Sequence, residues 1–129
     1  MLRLRHKPGF WLGLFIVWFV TLWILSSITG QDTNLPDIKF SDKIAHFGYF
    51  FGGGGILTAY FYRRNPKNPD WPHLLLRSVF ILALIGILDE FHQTFTPGRS
   101  GNDVLDWLAD VSGATCGALV FRLTHRTIK

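Results

Sequence analysis

Residues 89–117 read DEFHQTFTPGRSGNDVLDWLADVSGATCG, with five acids, one Arg, one His and one Gln inside or beside two strongly apolar runs. This stretch constrains the fold more than any other. A charged group near the centre of a bilayer costs about 2.5–3.5 kcal/mol on insertion scales. Ionisable groups kept at such positions face protein rather than lipid, and they mark functional sites. The rest of the chain must supply helices against which these groups can turn inward.

The chain has 129 residues, enough for one domain. Hydrophobic residues make up 48% of it, aromatics 16%, and the mean hydropathy is +0.23. The apolar residues are clumped, which points to a membrane protein rather than a soluble core. The net charge of +4 and pI near 9.6 would suit nucleic acid in a soluble protein. Here the Lys and Arg residues sit at the ends of apolar runs, where membrane orientation and anionic lipid explain them. No nucleic-acid partner is expected. The single cysteine, Cys116, reads as a small packing residue without a disulfide partner.

Four apolar segments are predicted as membrane helices, at about 10–28, 44–62, 73–93 and 103–123. The fold class is therefore an all-α membrane protein, a four-transmembrane-helix bundle forming one domain over residues 1–129. The first segment carries no charge and is long enough to span. Ser26-Ser27 after it also fit a signal-peptide cleavage site, but the run is long for one and holds three Trp. In the second segment, Gly48 and Gly52 stand four apart, a spacing that lets membrane helices approach closely. Residues 29–41, 63–72 and 94–102 are predicted loops. Ten of the thirteen Lys and Arg fall in the head (Arg3, Arg5, Lys7), the middle loop region (Arg63, Arg64, Lys67, Arg77) and the tail (Arg122, Arg126, Lys129). Only Lys39, Lys43 and Arg99 occupy the other two loops. This bias predicts both termini in the cytoplasm.

The acids then gather on the extracytoplasmic side. Asp42, Lys43 and His46 enter the second helix there, Asp89, Glu90 and Gln93 leave the third, Arg99 and Ser100 lie in the loop, and Asp106 and Asp110 enter the fourth. At a rise of about 1.5 Å per residue, Asp110 sits roughly 10 Å along its helix from Asp103. Asp106, Asp110, Gly113 and Gly117 share one helical face. So many acids around so few cations must share protons, pair with Arg99 and Lys43, or hold a cation. Structural roles compete with functional ones: Asp103 suits a helix N-cap, His92 an interfacial position, and the Trp residues belt or packing positions.

At these residues the chain resembles the VanZ-like family of small integral membrane proteins. DKIAHFGYF at 42–50 carries one part of the resemblance, and the 89–117 stretch carries the other. The second motif is specific: DE-x-x-Q, then P-G-R, then D-x-x-x-D-x-x-G-x-x-x-G. The family commonly has Asn where this chain has Asp110, which favours metal or proton binding here. The resemblance implies an envelope role, with a link to resistance against teicoplanin-type glycopeptides. It also implies a proposed relationship to membrane enzymes that exchange or hydrolyse lipid headgroups.

Three classes of function fit. In the first, the protein acts on the head group of a lipid or lipid-linked envelope precursor, as a headgroup phosphodiesterase or transferase. His46 would be general base or nucleophile, oriented by Asp42 or Asp106, and Arg99 would hold an anionic group. Gln93, Lys43, Ser100 and Tyr49 would help bind the substrate. Glu90, a further catalytic candidate, and Asp110 would share a proton or hold a divalent cation, with Asp89 as another candidate metal ligand; such hard oxygens suit Mg²⁺, Mn²⁺ or Ca²⁺. In the second class the same cavity binds a lipid or precursor without chemistry. The third, an ion-coupled carrier, ranks last because the ionisable groups sit at one end of the helices. Glycine-rich faces also offer a route to a homo-oligomer.

Overall fold

The computed structural model of the protein describes residues 3–28, 41–97 and 103–128. They form an all-helical structure. A short 3-10 turn at Leu4–His6 precedes α1 (Pro8–Ser27), α2 (Ser41–Arg64), α3 (Trp71–Gln93) and α4 (Val104–Thr124). Two of these, α1 and α4, are long and apolar enough to cross a membrane. The predicted loop over 29–40 lies outside the described residues.

Local chemistry sets the helix ends. Pro8 opens α1, where a missing N–H costs nothing. The Asp70 carboxylate accepts the His73 backbone N–H at the start of α3, and Pro72 follows in its first turn. Asp103 caps α4 by accepting from the N–H groups of Leu105 (2.9 Å) and Asp106 (3.4 Å), as its position after Asn102 suggested.

The most extensive interface is between α2 and α4, with α3 against α4 next. Glycines make the α2–α4 contact possible. A Cβ on Gly113 would overlap the Phe47 carbonyl, one on Gly117 the Phe51 carbonyl, and one on Gly54 the Ala114 backbone. Gly113 and Gly117 thus serve the packing role their shared face predicts. Gly48 and Gly52 do not: a Cβ at either meets nothing within 4 Å. The face of α2 turned to α4 runs through Phe47, Phe51 and Gly54, so Gly48 and Gly52 fall on the neighbouring, exposed stripe. Cys116 also lies on the exposed side of α4 and is not a packing residue.

Helix α1 docks through Trp18, whose indole N–H donates to the Tyr49 carbonyl (3.0 Å) while the Tyr49 hydroxyl donates to the Trp18 carbonyl (2.6 Å). A Cβ on Gly53 would stand 2.6 Å from the Trp18 ring, so glycine there opens the seat for the indole. Trp18, Leu22, Phe50, Leu57, Leu82 and Ala114 form the buried core. Exposed large apolar residues cover the outside of all four helices, among them Val17, Ile44, Leu76, Phe80, Leu108 and Leu123. An apolar exterior around buried acids is the arrangement a lipid solvent permits.

Gly113→Ala and Gly117→Ala are each expected to lower stability by about 1–3 kcal/mol, because backbone rather than a movable side chain blocks the new methyl. Gly48→Ala and Gly52→Ala should be neutral or stabilising by up to about 1 kcal/mol. Unfolding in detergent micelles, followed by circular dichroism, separates the two pairs.

Candidate functional site

The polar groups of α2, α3 and α4 meet at one end of the bundle. His46 lies one turn into α2 from Asp42 and Lys43. Its Nδ1 donates to Asp110 Oδ1 at 2.8 Å, and the proton is placed on Nδ1 because a carboxylate only accepts. Its Nε2 stands 3.7 Å from Asp106 Oδ2. Asp110 is fully buried, and its second oxygen has no hydrogen-bond partner. Gly86 on α3 leaves room there, since a Cβ would lie 3.0 Å from that oxygen.

Around this pair the acids divide into two sets. Asp42, Asp103 and Asp106 surround the Lys43 ammonium, which donates to them at 3.1, 3.3 and 3.1 Å. One built-in cation thus serves three carboxylates. Burial pushes the Asp103 carboxyl up, but the Lys43 ammonium and the N–H groups of Leu105 and Asp106 outweigh this and hold it below its ordinary value. The second set lies deeper. Asp89 accepts from the Ser26 hydroxyl through Oδ1 and from Gln93 Nε2 (2.9 Å) through Oδ2. Glu90 Oε2 accepts the Asp103 backbone N–H at 3.0 Å, and Oε1 is buried with no partner. Among the described residues, the only potential cation in hydrogen-bond contact with Asp89, Glu90 or Asp110 is His46.

A cleft of about 410 Å³ opens beside Glu90, lined by Ile87, Glu90, Asp103, Val104 and Trp107. It lies between α3 and α4, whose outer surfaces there are apolar. Trp107 fixes one wall by donating its indole N–H to the Ala83 carbonyl (2.9 Å).

The structure therefore brings together His46, Lys43, Asp89, Glu90, Asp106 and Asp110. Asp42 is hydrogen-bonded to Lys43 at the edge of the group and is largely exposed. His46 is oriented by Asp110, not by Asp42. Gln93 turns inward and donates to Asp89. The Tyr49 hydroxyl donates to the Trp18 carbonyl. Arg99 and Ser100 lie outside the described residues. His92 stacks on Trp23 (4.0 Å between centroids), with Nε2 2.9 Å from the Ser27 hydroxyl, consistent with the interfacial reading. Sequence reasoning missed Ser26 and Thr96. Ser26 was visible only as a small residue after an apolar run, and Thr96 donates to its carbonyl at 2.9 Å. Every buried charged side chain among the described residues belongs to this end.

A helical bundle with an apolar exterior, two helices fit to span a bilayer and a buried acid cluster at one end is an integral membrane type. The VanZ/LLP1 family model matches residues 10–125, and the chain belongs to that family. Comparison with curated proteins and with solved structures returns no match.

Asp103→Ala removes both the α4 cap and one Lys43 partner and is expected to cost about 1 kcal/mol at pH 7. The wild-type carboxyl is more acidic folded than unfolded, so its contribution is complete above the unfolded value of about 3.9 and is lost as pH falls through the folded value. Unfolding curves of wild type and variant should therefore converge below about pH 4 and stay apart above it.

Proposed function

We propose that this is a four-span protein of the bacterial inner membrane that acts on the head group of a lipid or lipid-linked envelope precursor at the outer membrane–water interface. Four spans are supported by the apolar residues exposed on α2 and α3 as well as on α1 and α4. Orientation follows from charge. The Arg63 guanidinium donates to the Ile128 carbonyl (3.1 Å) and to His6 Nδ1 (3.3 Å), so the head, the end of α2 and the tail meet at one basic end. That end belongs in the cytoplasm, and the acid cluster at the opposite end faces outward.

Glu90, with an unpartnered buried oxygen, forms part of the wall of a cleft between two helices, next to a His46–Asp110 pair. A molecule whose tail stays in lipid can reach such a cleft from the side. Asp110 commits Nδ1 of His46, which leaves Nε2 to take a proton or to hold a cation beside the head group. The sequence offers Arg99 for the anionic group.

The satisfied hydrogen bonds of Asp89 and Gln93 favour a second reading, a binder that holds a lipid or shields a precursor from a glycopeptide. Labelled phospholipids and undecaprenyl-linked precursors, incubated with purified protein, separate the two. Catalysis predicts headgroup release by wild type, falling about 100-fold or more in His46→Gln and in Arg99→Ala. A binder predicts no release, and resistance that survives His46→Gln but not Arg99→Ala.

A further inference from the structure

His46, Asp89 and Glu90 each bring a ligand atom to within 4.8 Å of the other two. So do Asp42, Asp103 and Asp106. The two groups differ in what already fills them. Lys43 stands among the outer three and donates to each. A second cation there would have to displace an ammonium that the fold supplies. The inner group contains no such cation among the described residues, and two oxygens beside it, Glu90 Oε1 and Asp110 Oδ2, are buried without partners. Glu90 is only 5% exposed and Asp110 not at all. Leaving buried carboxylate oxygens unpaired is costly, and structures tolerate it where something else completes them.

The geometry points to a divalent-cation site formed by His46, Asp89 and Glu90, with Asp110 as a positioning residue rather than a ligand. Asp110 accepts from His46 Nδ1, so the lone pair of Nε2 is the one free for a metal. Ser26 and Gln93 donate to the two oxygens of Asp89, fixing that carboxylate, and the Asp103 N–H holds one oxygen of Glu90 and leaves the other free. Two carboxylates and one neutral imidazole balance a 2+ charge. Metal–ligand bonds of about 2.1 Å place ligand atoms about 3–4 Å apart, a spacing that side-chain rotation reaches from here. One nitrogen with two oxygens suits Mn²⁺ or Zn²⁺ better than Ca²⁺, which takes six to eight oxygens. This deepens the headgroup reading and rests on it only for the use to which the cation is put.

Mn²⁺ added to the purified full-length protein in micelles tests the site by electron paramagnetic resonance. One Mn²⁺ per chain should be taken up, and the echo modulation of one imidazole nitrogen should appear in wild type and vanish in His46→Gln. Glu90→Gln and Asp89→Asn should abolish uptake, Ser26→Ala should weaken it about 10-fold, and Asp42→Asn should leave it unchanged. Circular dichroism checks that each variant is folded. The site is overturned if wild type takes up no stoichiometric Mn²⁺, if no nitrogen coupling is seen, or if Asp42→Asn loses uptake as fully as Glu90→Gln. Headgroup turnover that persists in chelator would overturn the cation's use in that reaction while sparing the proposed function. Stoichiometric Mn²⁺ without turnover would uphold the site and count against catalysis.

Discussion

The hydrogen bond between His46 and Asp110 ties α2 to α4 at the depth where an isolated carboxylate could not stay charged. Everything around it follows from that need. Asp110 is buried, so its partner must come from another helix. His46 can be that partner only because Gly113, one turn further along α4, lets the Phe47 backbone come into contact. Helix packing and site chemistry are one arrangement. The glycines set the separation of the two backbones, and that separation sets which side chains can meet.

The same logic explains the division of the acids. Lys43 enters at the outer edge of the cluster and satisfies three carboxylates there. Deeper in, Asp89 is held by neutral donors from α1 and from its own helix, while Glu90 and Asp110 each keep one oxygen free. Neutral donors orient a carboxylate without cancelling its charge. Each acid of the outer set is therefore paired with Lys43, whereas two oxygens of the inner set have no hydrogen-bond partner. Beside it, the cleft between α3 and α4 gives the cluster a lateral opening framed by apolar residues.

Much of this was legible in the sequence because helical spacing is rigid. Asp106, Asp110, Gly113 and Gly117 had to share a face, and they do. The Asp103 cap was legible because capping chemistry is local. What failed depended on the rotation of one helix against another. Gly48 and Gly52 carry the right spacing but sit one stripe away from the contact, and nothing within α2 reveals which stripe α4 will use. Tyr49 was expected to help bind the substrate, and its hydroxyl donates to the Trp18 carbonyl on α1. The choice of Asp110 over Asp42 as the partner of His46 is likewise a product of packing, since Asp42 is close in sequence but turned to the surface. Ser26 was hidden for the same reason: only the folded bundle brings the end of α1 to Asp89.

A double-mutant cycle on His46 and Asp110 tests the central claim most directly. Stability of wild type, His46→Ala, Asp110→Ala and the double variant would be measured by unfolding in micelles. A direct interhelical hydrogen bond predicts a coupling of about 1–3 kcal/mol, with the double variant less damaged than the two single losses together imply. Additive losses, with a coupling below about 0.5 kcal/mol, would show that the two side chains do not meet and would contradict the account.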